Sequence, residues 1–554
     1  MKIFINDTEY SFEKGQTILD VARQNDLYIP TLCYLKNITQ KHSCNMCLVQ
    51  VEGKRNLLRS CNTLAQDGMK VYLDTERVFK RRKKILENLL NKHNLNCGDC
   101  VKQGCCAFQK MWITNKAKKS IFETGPDIDD SSLSITRDYN KCVFCGRCVE
   151  VCSKQQQTHA LEKVSTNNGE KIQCNDGKLF KDSHCIGCGQ CILVCPVASL
   201  CETDGITKTN EFLEDPTCKV VAQIAPAVRV SFGEEFKKEY GYFDEERLAG
   251  VLKALGFDYV YDVVTGADFT AIEESKELLE RLQNNVHLPQ FTSCCPAWVR
   301  YVEEYYPEYM DNLSMCRSPN EMLASVVKNH CHKNENIKIV AVMPCTAKKE
   351  EISRFNSVDA VITTRELARM VRAKGINYDE VELSKFDNPL ADYSGGGLIF
   401  GTTGGVTESV LRCVSHQINK TEDIDLQQVR TTKGLKEIEV TIGETHLSVA
   451  VVNGIGNANK VMQNIKQGKH YDFIEVMACP GGCVGGGGQP IVDRDRVDYE
   501  QVLAKRASAL YTKEKTLSAK SALSNPAVLK VYDEFFNPNP DQIQKLLHKP
   551  HKND

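Results

Sequence analysis

Three short cysteine segments are the residues best placed to do chemistry: Thr292-Ser293-Cys294-Cys295-Pro296, Met343-Pro344-Cys345 and Met477-Ala478-Cys479-Pro480-Gly481-Gly482-Cys483. A zinc or ferredoxin motif keeps most of its ligands in one short run. These segments are separated by about fifty and then well over a hundred residues, so a folded domain has to gather them. A site assembled in this way, behind a series of more compact metal motifs, indicates a redox enzyme.

The compact motifs lie upstream. Cys33, Cys44, Cys47 and Cys61 place one short C-x2-C between two distant cysteines. That is closer to a plant-type [2Fe–2S] pattern than to a [4Fe–4S] run, with a zinc site as the alternative. His93, Cys97, Cys100 and Cys106 follow. Zinc can use three cysteines and a histidine, but among cluster motifs a [4Fe–4S] cluster with one histidine ligand is the expectation. Cys105 adjoins Cys106 and competes with it as a ligand. Cys142, Cys145, Cys148 and Cys152 are spaced C-x2-C-x2-C-x3-C, and Cys185, Cys188, Cys191 and Cys195 repeat that spacing. In two-cluster ferredoxins the fourth cysteine of each run serves the other cluster. Cys195 is therefore expected with Cys142, Cys145 and Cys148, and Cys152 with Cys185, Cys188 and Cys191. Ser153 stands where proline is usual, a small departure.

The chain of 554 residues is too long for one core. Its net charge of −2 gives no argument for nucleic acid or an anionic membrane. No apolar run is long enough to span a bilayer, and Met1–Asp7 lacks a signal peptide's apolar region. The 27 cysteines then fit metal-bound thiolates in a reducing cytoplasm better than disulfides.

Five stretches have to position these residues. Residues 1–78 begin β-rich, with a strand from Lys2, a turn at Asn6-Asp7, and a helix capped by Thr17 and running through Gln24. Residues 79–125 open on Arg81-Arg82-Lys83-Lys84, read as a solvated helix face. Residues 126–207 carry the paired cysteine runs. In residues 208–515, buried-strand runs such as 220–225, 259–264, 339–343, 360–362 and 473–477 alternate with helical stretches, which implies α/β layers with mainly parallel strands. Cys345 and Cys479 follow the ends of two such strands, where open α/β sheets hold ligands. Residues 516–554 read as a proline-interrupted helical tail packed on the preceding domain. Ser394–Gly397 and Gly485–Gly488 lack the Lys-Ser/Thr of a phosphate loop, and Gly454–Asn459 lacks the third glycine of a dinucleotide fingerprint. Close-approach turns are expected there, and no nucleotide site.

The segments Thr292–Pro296, Met343–Lys348 and Glu475–Pro490 closely resemble the three signatures of the [FeFe]-hydrogenases, as does Ala225-Pro226-Ala227-Val228-Arg229. The upstream order of motifs is similar to that of the family's larger monomeric members. The resemblance implies a multidomain chain: β-grasp and bacterial-ferredoxin-like α+β modules, then a two-lobed α/β domain around the active site. It implies one [2Fe–2S] cluster, three accessory [4Fe–4S] clusters and an H-cluster, in which a [4Fe–4S] unit is joined to a diiron unit carrying carbonyl, cyanide and azadithiolate. Cys295, Cys345, Cys479 and Cys483 would ligate the cubane, with Cys483 bridging to the diiron. Lys348 would bond one cyanide and the backbone at Ala227 would face the other. Met343, Met477, Phe400 and Pro226 would wall the pocket.

The same resemblance turns Cys294 into a proton donor and continues the path through Glu274, Ser314, Glu277 and Arg281. Read from the residues alone, Glu274, Glu277 and Arg281 share one helix face of solvated charge. The implied reaction is 2 H⁺ + 2 e⁻ ⇌ H2. Its potential of about −410 mV at neutral pH is close to the roughly −400 mV of plant-type clusters. The implied partners are ferredoxin or a similar low-potential carrier, or NAD(P)-linked subunits, together with diiron maturation proteins. A molybdopterin-type continuation, a cluster-assembly relative and a hydrogen sensor are the alternatives. The unassigned Cys105, Cys174, Cys201, Cys218, Cys316, Cys331 and Cys413 read as small buried hydrophobes.

Overall fold

The computed structural model describes residues 1–38, 43–120, 125, 127–166, 169–420, 424, 426–431 and 433–550. The expected boundary at residue 126 and the end of the tail, 551–554, lie outside the described residues.

The N-terminal sheet runs in the order Thr8–Ser11, Lys2–Ile5, Lys70–Tyr72, Leu48–Val51, Leu58–Arg59. Alternation along Lys2–Ile5 sends Ile3 and Ile5 to one face, where they join Leu19 and Val21 of the helix Ile18–Gln24 in one core. Thr17 caps that helix. Its hydroxyl accepts from Asp20 N at 3.1 Å, and its own N–H donates to the Asp20 carboxylate at 2.9 Å.

The basic stretch falls in the helix Glu76–Leu90. Val78, Leu86 and Leu90 form its inner face, and Arg82 is buried with them, against the expectation of a wholly solvated charge run. The Arg82 guanidinium donates to the carbonyls of Met46 at 3.1 Å and Leu48 at 2.9 Å, and these bonds offset the cost of burying it.

The two cysteine runs are built alike. Gly146 (φ 79) and Gly189 (φ 69) each take the left-handed conformation that starts a short helix, Arg147–Glu150 and Gln190–Val194. Leu200–Glu202, Ile135–Asp138 and Ile128–Asp129 make a three-stranded sheet beside them.

Two four-stranded sheets follow. One has the order Tyr259–Asp262, Lys219–Ile224, Ile337–Met343, Ala360–Thr363 and is parallel throughout. The other, Gln290–Phe291, Phe473–Met477, Thr445–Asn453, Leu435–Ile442, is parallel except for its last pair. The expected strand runs are present, with one boundary corrected. Val263 and Val264 begin a 22-residue helix, Val263–Asn284, because the Asp262 carboxylate accepts from Val264 N at 3.0 Å and starts it there. Ser394–Gly397 is likewise a close approach but not a turn. Ser394 caps the short helix Gly395–Ile399, and a Cβ on Gly397 would meet the Val264 carbonyl oxygen at 2.7 Å.

The tail packs on the long helix: Tyr532 donates to Glu273 at 2.6 Å, and His548 Nε2 lies 3.1 Å from the other Glu273 oxygen. Among the described residues no helix is long and apolar enough to cross a membrane.

Candidate active site

The sheets bring the three signatures together. Cys345 follows the strand Ile337–Met343, Cys479 follows Phe473–Met477, and Cys295 stands at the start of the helix Pro296–Tyr305. Thr292 N donates to Ile474 O at 3.1 Å, which stitches the first signature to the third. Cys345, Cys295 and Cys483 all lie within electrostatic range of Cys479. A Cβ on Gly486 would meet the Pro344 carbonyl oxygen at 2.1 Å, so only bare backbone lets the third signature lie against the second. Four buried or half-buried cysteines converging behind a glycine cradle fit a cubane.

The expected wall residues lie around them. Met343, Met477 and Phe400 belong to one core, with Cys294 and Cys483 packed against it. Pro226 and Ala227 are buried at the end of the strand Lys219–Ile224. Val484 N bonds Gly401 O at 3.1 Å, joining the Phe400 segment to Cys483. Gln489 was not singled out from sequence, yet its amide donates to Ala227 O at 2.9 Å and to Cys483 O at 3.3 Å. Lys348 Nζ donates to both Glu351 oxygens at 2.8 and 2.7 Å and to Cys294 O at 3.3 Å. Burial works against its charge, but the Glu351 carboxylate outweighs that and raises its pKa. Glu351 stands three residues beyond Lys348, a helical spacing that could have flagged it.

Glu274, Glu277 and Arg281 share a face of the long helix, and that face is turned inward. Glu274 is fully buried, and neither of its oxygens has a hydrogen-bond partner among the described residues. Burial, then the neighbouring Glu277 charge, pushes its carboxyl up to about 8. Ser314 donates to Glu277 at 2.7 Å and Arg281 bonds the other Glu277 oxygen at 2.7 Å. Burial and the Glu274 charge push the Cys294 thiol well above its usual range. Lys549, from the tail, places its half-buried ammonium 2.9 Å from Ser314 O, beside Glu277 and Glu274. A lone lysine so far along the chain gave no sequence signal.

Several of the upstream ligand candidates also lie near one another. Cys47 and Cys61 sulfurs lie 3.2 Å apart, and Cys33 bonds Cys44, so the four thiols stand two by two. His93 is buried with Nδ1 2.9 Å from the Lys141 carbonyl. A carbonyl only accepts, so Nδ1 carries the proton and Nε2 keeps its lone pair. Burial lowers the His93 pKa to about 4, which holds the ring neutral, as a metal ligand must be. Cys105 is exposed whereas Cys106 is half-buried and caps the helix Ala107–Thr114. Cys152 lines one small cavity with Cys185, Cys188 and Cys191, and Cys195 is an electrostatic neighbour of Cys142, Cys145 and Cys148. The fourth cysteine of each run thus lies beside the first three of the other. Of the unassigned cysteines, Cys174, Cys218, Cys316 and Cys413 are buried.

The sets also touch one another. The Cys106 thiol lies 3.9 Å from Pro196 O, next to Cys195. Asp495 holds Arg23 at 2.9 Å, Thr31 at 2.7 Å and Arg147 at 3.3 Å, joining the N-terminal sheet domain to the first cysteine run. The Cys479 thiol stands 4.0 Å from the Cys188 carbonyl oxygen, and a Cβ on Gly487 would meet that same oxygen at 2.4 Å.

Residues 218–487 match the iron-only hydrogenase large subunit, C-terminal domain. Iron hydrogenase 1 of Clostridium pasteurianum is 39% identical over 574 residues, covering 99% of each chain. The chain belongs to the iron-only hydrogenases. This hydrogenase also matches a 2Fe–2S cluster binding domain over 1–76, a 4Fe–4S dicluster domain over 141–199 and the iron hydrogenase small subunit over 500–554. It is 36% identical to a subunit of the NADP-reducing hydrogenase of Solidesulfovibrio fructosivorans, over 99% of this chain and 98% of that one. An [FeFe]-hydrogenase from Chlamydomonas reinhardtii superposes with a TM-score of 0.56 at 35% identity, over 62% of this hydrogenase and 98% of that chain. The protein is thus an oxidoreductase acting on hydrogen at an H-cluster, with 2Fe–2S and 4Fe–4S domains alongside. A molybdopterin-type continuation is excluded by the match over 218–487.

Proposed function

We propose that this hydrogenase exchanges electrons with ferredoxin, or a similar low-potential carrier, along a wire of one [2Fe–2S] and three accessory [4Fe–4S] clusters. Cys33, Cys44, Cys47 and Cys61 hold the first cluster within a β-grasp domain of residues 1–78. His93, Cys97, Cys100 and Cys106 hold the second within residues 79–125. The crossed runs hold two more within residues 126–207. Cys295, Cys345, Cys479 and Cys483 hold the H-cluster between the two lobes of residues 208–515, covered by the tail 516–554. The observation that carries this order is the Cys188–Cys479 contact of 4.0 Å, which sets the last accessory ligand loop against the catalytic one.

When bound, the H-cluster supplies the centre at which two protons and two electrons meet as H2. The chain's own part is to deliver them. Cys294, held as a thiol by its buried setting, passes a proton inward and recovers it from Glu274. Glu274 is protonated below about pH 8, so it can donate at neutral pH. Ser314 relays from Glu277, and Arg281 fixes Glu277 by a 2.7 Å ion pair. Lys348 presents a permanent cation to an anionic cofactor group, while the wall of Met343, Met477, Phe400, Pro226 and Ala227 excludes water.

Diiron maturation proteins are required to load the cofactor, and the setting is the cytoplasm, with no membrane or nucleic acid partner. A second reading replaces ferredoxin by an NAD(P)-linked subunit, supported by the name of the Solidesulfovibrio relative. Hydrogen evolution driven by reduced ferredoxin tests the first reading. Turnover with a viologen dye but none with ferredoxin would reject it. An anaerobic infrared spectrum in the carbonyl and cyanide region tests cofactor loading.

A further inference from the structure

We propose that a basic basin on the N-terminal domain is the docking port for an acidic electron-carrier protein, which hands its electron to the cluster held by Cys33, Cys44, Cys47 and Cys61. This rests on the ferredoxin reading above and says where that carrier sits.

The basin is open and holds about 820 Å³. Arg59, Arg77, Lys80, Arg81 and Lys84 line it, and among the described residues no carboxylate does. The chain as a whole carries a net charge of −2, so five cations around one depression are a local feature. Lys80 pairs with Glu76. Arg77 and Arg59 spend hydrogen bonds on neutral groups, the Arg55 carbonyl and the Asn45 side chain, each at 2.6 Å. Among the described residues, Arg59, Arg77, Arg81 and Lys84 make no ion pair, so their charge faces outward for a partner. Complementary charge of this kind steers encounter and fixes orientation.

The helix Glu76–Leu90 divides its charges by face. Arg77, Arg81 and Lys84 follow at helical spacing along the outer side. Arg82 points the other way and clamps the Met46 and Leu48 carbonyls on either side of Cys47. The helix that carries the docking face is therefore tied directly to the cluster loop. Asn45, between Cys44 and Cys47, is itself part of the basin floor, as is Asn62, next to Cys61. A carrier seated over these cations stands one side chain from two cluster-ligand segments. The transfer is a single electron from the reduced carrier to the oxidised cluster, with no bond made or broken.

The experiment uses the full chain with its clusters reconstituted. Hydrogen evolution is measured with a reduced, acidic bacterial ferredoxin and separately with reduced methyl viologen, at low and high salt. In the double variant Arg77→Glu/Arg81→Glu the KM for ferredoxin should rise about tenfold or more at low salt, and its salt dependence should flatten. The EPR signal of the reduced [2Fe–2S] cluster should be unchanged, which reports an intact loop. The milder Arg77→Gln/Arg81→Gln pair should raise KM in the same direction if charge reversal disturbs folding. An unchanged KM and salt response in both variants, with ferredoxin still driving the parent, overturns the docking site alone. A parent driven by viologen but not by ferredoxin overturns the ferredoxin reading and the docking site with it.

Discussion

Ser314 donates its hydroxyl proton to Glu277 across 2.7 Å, and the backbone N–H of Met315 reaches the same carboxylate at 3.1 Å. Glu277 is thus held by several donors, whereas neither oxygen of Glu274, nearly one turn earlier, has a hydrogen-bond partner among the described residues. The two carboxylates differ in their surroundings: Glu277 is fixed by its donors and Glu274 is not.

Glu274→Gln should therefore lower hydrogen turnover by roughly 100-fold or more, the usual worth of a positioned proton donor. Iron content and the cofactor infrared bands should stay as in the parent. Turnover within about threefold of the parent would remove Glu274 from the path.

The same carboxyl links stability to pH. Its folded pKa of about 8 lies above its ordinary value of 4.5. Between those values the folded chain keeps a proton that the unfolded chain has lost, so stability falls as pH rises through that window. The thermal midpoint of the parent should drop more between about pH 5 and pH 8 than that of Glu274→Gln. Equal slopes would mean that Glu274 ionises normally.

Lys549 acts on this pair from outside the helix. Its ammonium lowers the proton affinity of Glu274. In Lys549→Met that restraint is gone, and the alkaline limb of the pH–rate profile for hydrogen evolution should move to higher pH. A shift to lower pH, or none, would show that the ammonium is screened.

Gly487 has no room for a side chain, since a Cβ would meet the Cys188 carbonyl oxygen at 2.4 Å and Gly189 Cα at 2.7 Å. Both are backbone atoms, so Gly487→Ala has to push the two loops apart. Reduction of the accessory clusters by hydrogen, followed by stopped-flow absorbance, should slow while each cluster's own EPR spectrum is kept. An unchanged rate would place the handover elsewhere.

Cys105 and Cys106 can be told apart directly. Cys105→Ser should leave the EPR spectrum of the cluster proposed at His93 as it was, and Cys106→Ser should abolish it. The reverse pattern would exchange their roles.

What the sequence disclosed is what short range determines. The cysteine spacings are local, and so are the strand runs that end just before Cys345 and Cys479. The shared face of Glu274, Glu277 and Arg281 is equally plain from helical periodicity, but whether that face is wet or buried depends on what packs over it. Charge alone favoured the wet reading for Arg82 too, and the carbonyls that accept from it are more than thirty residues away. Gln489 lies inside the third signature, but its bonds to Ala227 and Cys483 are set by tertiary folding, and Lys549 reaches the site from a tail that belongs to no pattern. The start of the helix at Val263 was hidden because β-branched residues suit a strand as well, and the Asp262 cap decided between them.

Asp495 gives the molecule a plug and socket. One carboxylate in the C-terminal half receives Arg23 and Thr31 from the first domain and Arg147 from the ferredoxin-like one. If the first domain is cut away, Arg147 and Asp495 still neutralise each other, and no charge is stranded. A foreign input module grafted in its place would engage the same socket if it presented an arginine and a hydroxyl at the positions of Arg23 and Thr31. Chimeric hydrogenases wired to other electron sources can be designed to keep that junction.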